Sequence, residues 1–328
     1  MTPKQQILET LRNASAPISG EQLSTQLSIS RTMVWKHIQS LLDEGYDIEA
    51  IRKKGYVLNK LQEPLSENTL TPYLETETYA RQLMILESCS STQKVAKEWL
   101  VTNSFDGMLI VSEEQTEGKG RLNRSWNSTK GKGLWMSWVI KPAILPHEAP
   151  PITLVAALAI AHAIEQITTL QVDIKWPNDL LIDGKKVGGI LTELQSTPEQ
   201  IEAIILGIGL NVNHQQEDFE ESIQKIATSL AIHHETPIYR SQLLAEIALQ
   251  LEVAIRQFEK EGFAPFRERW IRHSPMIGQH VTAQTVRETI QGVAVGINEY
   301  GALLVETSQG VIPLFSGDVT LSKRKLDF

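Results

Sequence analysis

The first sixty residues change hydrophobic period once, and that change confines them to a narrow set of folds. Ile7, Leu8 and Leu11 stand at helical spacing within residues 4–13. Ser19 is placed to cap a second helix through Glu21 and Leu23 to Leu27. Ser30 is placed to cap a third, through Trp35 to Leu42, with Gly45 ending it. Ser28-Ile29-Ser30 makes the turn between them. The pattern then shortens to two alternating segments, Asp47 to Ile51 and Gly55 to Leu58, around the basic turn Arg52-Lys53-Lys54-Gly55. Three helices and a hairpin make a winged helix-turn-helix. The third helix is expected to enter a DNA major groove and the wing to touch backbone. Arg31, Lys36, His37 and Gln39 are the candidates for base or phosphate contact on that helix, and Arg52, Lys53 and Lys54 for phosphate on the wing. Trp35 and Ile38 are expected in the core.

Charge points the same way. Residues 1–60 carry eight lysines and arginines against six carboxylates, a balance of +2; the remaining 23 against 33 give −10, and together they make the −8 of the 328-residue chain. An acidic chain is a poor general nucleic-acid binder, so DNA affinity is expected in the first sixty residues alone. The longest apolar stretch, Ile152 to Ile164, is interrupted by Thr153 and His162 and is too short to span a bilayer. The start of the chain has no apolar segment of the secretory kind. The single cysteine, Cys89, excludes an intrachain disulfide and any cysteine-cluster metal site, and it fits a reducing cytoplasm.

Residues 61–78 are a polar connection containing Pro64 and Pro72, which places a boundary near 63. An α/β region follows. Leu83–Leu86, Met108–Ser112, Leu134–Ile140, Asp173–Trp176 and Ile201–Val212 read as strands. Thr92–Leu100, Thr153–Thr168 and 240–261 read as helices, the last with Val253 counted among its apolar positions. Asp183-Gly184 between Leu180–Ile182 and Lys186–Glu193 is a hairpin signal. From Gly278 onward the chain turns to short strands, 278–283, 288–297, 303–307 and 311–315, with Gly301 and Gly310 in the turns. That pattern suggests a small antiparallel barrel.

Chemistry concentrates in a few short runs. Gly118-Lys119-Gly120-Arg121-Leu122-Asn123-Arg124-Ser125-Trp126 joins glycines, cations and one indole. Glycines let backbone approach an anion and cations neutralise it, so this run reads as a site for an anionic, phosphorylated ligand. Lys175-Trp176-Pro177-Asn178-Asp179 and Lys186-Val187-Gly188-Gly189-Ile190 follow, and then Gly207-Ile208-Gly209-Leu210-Asn211-Val212-Asn213. By residue type alone, Ser91 is a helix N-cap, Trp126 a core or stacking residue, Asp179 a turn cap or a proton acceptor, and Lys175 a strand-end cation or a phosphate partner. No His/Cys/Asp/Glu cluster has metal-ligand spacing, and His233-His234 reads as a solvated pair.

Taken in order, Gln115 through Trp126, Lys175 through Asp179, Gly184 through Leu191 and Gly207 through Asn213 resemble the bacterial biotin–protein ligases that double as repressors of the biotin operon. The likeness extends over essentially the whole chain. It implies an α+β protein: a winged helix-turn-helix (1–62), a central mixed α/β ligase domain related to class II synthetases and lipoate ligases (63–273), and a small SH3-like β-barrel (274–328). The implied activity is ATP-dependent formation of biotinyl-5′-AMP, then transfer of biotin to a lysine of the biotin carboxyl carrier domain of acetyl-CoA or pyruvate carboxylase.

The resemblance also assigns roles. Ser91, Thr92, Gln93 and Gln115 would meet biotin, with Lys119, Gly120, Arg121 and Lys186 around its carboxylate. Gly118, Lys119, Arg121, Arg124, Trp126, Lys175 and Asn211 would hold the nucleotide. Lys186, Asp179 and Arg121 would carry the chemistry, Asp179 near the acceptor amine. Magnesium is implied only as the companion of ATP, with no metal bound by the protein itself. The adenylate would act as corepressor, and the liganded homodimer would bind operator DNA. Two departures stand out: Lys119 replaces the usual arginine, losing its planar fork, and Asn123 replaces a glycine in a place that suits left-handed backbone. Two other readings stay open, a catalytically weak sensor-repressor and a lipoate-type acyl ligase.

Overall fold

The computed structural model describes residues 2–59, 63–234, 238–285 and 288–321. The expected boundary at 62 and 63 falls partly outside them. Two compact units are present, Met1–Pro72 with Tyr239–Ser241, and Tyr73–Ile238 with Gln242–Phe328.

The first unit opens with α1 (Pro3–Asn13), α2 (Gly20–Leu27) and α3 (Arg31–Asp43). Thr2 and Ser19 close reciprocal capping boxes with Gln5 and Gln22, and the Ser30 hydroxyl accepts the Met33 N–H. The wing is β1 (Ile48–Ile51) against β2 (Gly55–Leu58), in register Ile48 with Leu58 and Ile51 with Gly55. Ile18 adds a third short rung by exchanging backbone hydrogen bonds with Tyr56. Gly55 is required there: its φ is +121°, and a Cβ would stand 2.1 Å from the Ile18 carbonyl oxygen. Ile7, Leu8, Leu11, Leu23, Val34, Ile38 and Leu41 fill the core.

Trp35 departs from expectation, being 53% exposed, while Ile38 is 1% exposed. The reason is phase. Val34, Ile38 and Leu41 form the buried stripe of α3, and Trp35 is about 100° further round the helix. Apolar character does not by itself oblige burial.

The second unit is built on a seven-stranded mixed sheet. After the short helix α4 (Glu67–Leu70) of the first unit come β3 (Leu83–Leu86), α5 (Thr92–Leu100), β4 (Met108–Ser112), β5 (Gly133–Ile140), α6 (Ile152–Thr168), β6 (Asp173–Lys175), β7 (Asp179–Ile182), β8 (Lys185–Ser196) and β9 (Ile201–Asn211). Their order across the sheet is β3-β4-β5-β9-β8-β7-β6; β3 and β4 run parallel, and every other neighbouring pair is antiparallel. Every residue of β5 is buried, as expected of a central strand covered on both faces. Ala96 of α5 packs with Met108, Ile110, Val139 and Ile205. The hairpin at Asp183-Gly184 has φ +50° and +72°, the left-handed pair a two-residue turn requires.

Then come α7 (Leu230–His233), α8 (Arg240–Glu261), α9 (Ala264–His273) and a five-stranded antiparallel sheet of β10 (His280–Gln284), β11 (Thr289–Ile297), β12 (Leu303–Thr307), β13 (Gly310–Leu314) and β14 (Asp318–Leu321), ordered β13-β12-β11-β10-β14. The sequence pattern missed α9 and β14. On α8, Val253 faces solvent rather than the core. Among the described residues no helix is long and apolar enough to cross a membrane.

Glu252 of α8 fastens the start of this unit. Its buried carboxylate accepts the backbone N–H groups of Glu77, Thr78 and Tyr79 at 3.1–3.3 Å and pairs with Arg256 at 2.7 Å. Glu252→Ala strands the three backbone donors, while Arg256 keeps Glu77 and the Thr78 hydroxyl as partners; the change is expected to cost about 3 kcal/mol of unfolding free energy, read as a lowered denaturation midpoint, and Glu252→Gln should retain part of it.

Candidate functional site

An open cavity of about 300 Å³ lies over β5, β9, β8 and β7. The start of α5 brings Ser91, Thr92 and Gln93 to it. The 115–127 segment brings Gln115, Lys119, Gly120, Arg121, Arg124 and Trp126, and the strands bring Asp179, Lys186 and Asn211. Twelve candidates from distant parts of the chain thus share one wall. Gly118 and Lys175 do not line it. Gly118 lies behind the loop, where a Cβ would strike the Trp126 carbonyl at 2.5 Å. Lys175 sits on edge strand β6, in register with Asp179.

The floor depends on glycines. Gly189 of β8 and Gly209 of β9 are register partners. A Cβ on Gly209 would stand 2.5 Å from the Trp126 ring, and one on Gly207 would stand 2.8 Å from the Gln93 side chain. The close approach these glycines permit is therefore made by the protein's own indole and amide. Trp126 also meets Trp135 edge-on at 6.5 Å and lies under the Lys186 ammonium at 5.1 Å. Gln93 donates to Glu193 at 2.9 Å and to the Leu191 carbonyl, leaving its own carbonyl oxygen buried without a protein partner.

A polar chain crosses the back of the cavity. The Gln115 side-chain oxygen accepts from the Thr92 N–H at 2.8 Å and from the Thr92 hydroxyl, while its amide donates to Ser128; Ser137 donates to Thr92 at 2.8 Å. Ser91 does occupy the N-cap of α5, but its hydroxyl makes no capping bond, which leaves that hydroxyl available to a ligand.

The glycine-rich loop closes on itself through Gly120 N–H to Arg124 O and Trp126 N–H to Gly118 O, both 2.8 Å. Leu122 and Asn123 are left-handed at φ +55° and +56°, so asparagine fits where it stands. Arg121 donates to the Asn178 side chain at 3.1 Å, and Arg124 is ion-paired to Asp318 of β14. Asn178 and Asp318 are site residues that sequence reasoning missed. Asn178 was visible inside a recognised run, whereas nothing local distinguishes Asp318.

Lys186 and Asp179 are paired at 2.7 Å. The β7–β8 ladder slips between Leu180 and Leu181, pairing Leu181 with Lys186 but Leu180 with Gly188. Such a bulge re-aims the side chain beside it. The Lys186 backbone also donates nothing to β7; it receives the Thr228 N–H and donates its own to Ile226. The segment containing His214, Asp218, Phe219, Ile223 and Ile226 forms the outer wall. Asp218 pairs with Lys132 at 3.0 Å. Desolvation opposes its charge, but the Gln215 N–H and Lys132 prevail and hold its carboxyl below the usual range. His214 is stacked on Phe219 and edge-on to Trp135, and burial pushes its imidazole down to about 4.

In the first unit, Arg31, Lys36, Arg52, Lys53 and Lys54 are exposed, and His37 and Gln39 are half-buried. Arg31 is paired with the equally exposed Glu21 at 2.6 Å.

Two outcomes follow from this geometry. An unfolded histidine takes its proton near 6.5 and His214 only near 4. Between those values the unfolded chain binds more protons, so stability falls as pH drops from 6.5 towards 4 and the loss is complete below. The difference is about 3 kcal/mol, and melting curves of His214→Phe should lack that part of the fall. Gly209→Ala should displace Trp126, changing its fluorescence and costing about 1–3 kcal/mol of stability.

Comparison with known proteins gives three family matches. Residues 3–57 match an HTH domain, 85–211 the biotin/lipoate A/B protein ligase family, and 276–322 the biotin protein ligase C-terminal domain. The bifunctional ligase/repressor BirA of Bacillus spizizenii is 41% identical, over 98% of this chain and 99% of the relative. That of Escherichia coli is 30% identical over 92% of each. The solved biotin protein ligase from Aquifex aeolicus, in complex with biotin and ATP, superposes with a TM-score of 0.66 at 30% identity, over 74% of this chain and 100% of that one. A cavity assembled from the expected runs, a helix-turn-helix unit earlier in the chain and 41% identity over nearly its full length agree: the chain belongs to the bifunctional biotin–protein ligase/repressor family.

Proposed function

We propose that this chain activates biotin with ATP, forming biotinyl-5′-adenylate, and passes the biotin to a lysine of a carboxyl carrier domain; through its helix-turn-helix unit it represses biotin genes. The observation that carries the ligase reading is Lys186. Its ammonium stands over the Trp126 face, paired with Asp179, in a cavity shared with the glycine-rich loop.

In the first step a biotin carboxylate oxygen attacks the α-phosphorus of ATP, and pyrophosphate leaves. Two anions must meet, so the site has to supply positive charge. Lys186 exchanges its Asp179 partner for the carboxylate and α-phosphate oxygens, with Arg121 and Lys119 above. Ser91, Thr92, Gln93 and Gln115 offer donors and acceptors for the biotin ring, and Trp126 an aromatic face for the adenine. In the second step a neutral lysine amine attacks the acyl carbon and AMP departs. Asp179, released by Lys186, accepts the amine's proton.

Among the described residues no group of three metal-ligating side chains is assembled. The cavity carboxylates Asp179, Asp218 and Asp318 already bear Lys186, Lys132 and Arg124. This donor set suits magnesium carried by ATP's phosphate oxygens and water rather than caged by protein. Further parts of the proposal are residues 1–62, 63–273 and 274–328 as the three domains, the adenylate as corepressor, a homodimer on a two-fold operator, acetyl-CoA or pyruvate carboxylase as source of the carrier, and a cytoplasmic location.

The test is ATP- and biotin-dependent transfer of label to a purified carrier domain, with the carrier's lysine changed to arginine as control. Lysine-dependent labelling is expected, with lipoate and octanoate rejected. Lys186→Ala should lower adenylate formation about 100-fold or more, and Asp179→Asn should slow transfer more than activation. Normal biotin binding without labelling would move the sensor-repressor reading to the front.

A further inference from the structure

Trp35 has no place in the core of the first unit. The buried cluster is made by Ile7, Leu8, Leu11, Leu23, Val34 and Ile38 with their neighbours, and the partly buried residues packed on it are Ile18, Leu27, Ile29 and Tyr56. Trp35 is absent from both sets and 53% exposed, and Met33 on the same helix is 41% exposed. A large indole left in water forgoes a favourable burial. The exposed charges of the same helix and of the wing are positive: Lys36 is the next residue, Arg31 is one turn back, and the exposed turn Arg52-Lys53-Lys54 belongs to the wing of the same unit. The Arg31–Glu21 pair is largely open to solvent, and such a pair is readily exchanged for phosphate. The balance of residues 1–60 is +2 in a chain of −8. An exposed indole on the same helix as exposed cations, with a basic wing in the same unit, fits a polyanion that also presents apolar groups. Duplex DNA meets that description in its major groove, where the thymine C5-methyl is the one apolar group on the base edges.

We infer that Trp35 reads thymine methyl groups in the operator's major groove, with Lys36 and the wing holding the flanking phosphates. This rests on the repressor reading of the first unit. Indole offers one N–H donor and no acceptor, so its discrimination is by contact with the methyl and not by a bidentate hydrogen-bond pattern. Because Trp35 carries no charge, its contribution is independent of counterion release.

The experiment uses the full-length protein with biotin and MgATP to select duplexes from a random-sequence pool. Affinity for the selected duplex is measured over a range of KCl for the wild type, Trp35→Ala and Trp35→Phe. Thymines are replaced one at a time by deoxyuridine, which lacks only the methyl. Trp35→Ala should weaken the selected duplex about tenfold, leave the slope of log K against log salt unchanged, and bind unselected duplex as before; Trp35→Phe should keep most of the affinity. One or two deoxyuridine replacements should weaken the wild type severalfold and leave Trp35→Ala unaffected. Replacements that cost nothing, or that cost both proteins equally, overturn the inference, as does undiminished affinity in Trp35→Ala. The deoxyuridine arm on the wild type needs no variant, so a misfolded Trp35→Ala does not rescue the idea. If no duplex is enriched, the repressor reading falls and the inference with it; enrichment without methyl sensitivity removes the inference alone.

Discussion

Hydrogen in place of a side chain at Gly207, Gly209 and Gly189 is what allows a cavity to exist on this sheet. β8 and β9 are the longest paired strands among the described residues; a side chain at Gly209 or Gly207 would stand where Trp126 or Gln93 lies, and one at Gly189 would crowd Lys186. With only hydrogen there, the indole and the amide approach the strand backbone closely. Trp126 then serves as platform for Lys186, and Gln93 anchors the start of α5 to Glu193. The polar chain through Thr92, Gln115, Ser128 and Ser137 follows from that placement, because α5 and the 115–128 segment are drawn over the same strands.

Charge in the site is stored as pairs. Lys186 with Asp179 and Arg124 with Asp318 each bring a cation to the cavity without leaving it unpaired in an acidic chain, and Lys132 pairs from outside the lining with the cavity carboxylate Asp218. The partners are partly open to solvent, where ion pairs contribute little. Exchanging a carboxylate for a phosphate oxygen is therefore inexpensive, and the cations are already in position when the second anion arrives.

Much of this was legible in the sequence, for reasons that differ by residue. Serine caps and a stripe of Ile and Leu placed α1 to α3 because capping and helical period are local properties. Asp183-Gly184 placed the β7–β8 turn because few other pairs tolerate two left-handed residues. The site runs were legible through their glycines and cations. Trp35 lies outside the core because apolar identity does not fix burial; its phase relative to Val34 and Ile38 points it outward. Asp318 was illegible in principle: an aspartate on a short strand acquires meaning only when the fold brings it beside Arg124. The role of Gly207 and Gly209 was half legible, since their freedom was evident but not which group would fill the space.

The backbone of Lys186 is hydrogen-bonded on both sides to the wall segment, at Ile226 and Thr228. That wall and that lysine therefore share one mechanical coordinate. A displacement of residues 214–228 would tilt the strand end that bears the ammonium, so under the proposed ligase reading closing the wall and aiming the charge would be a single event. A lesion on the outward surface of the wall, remote from either substrate, would then present kinetically as damage to the lysine itself.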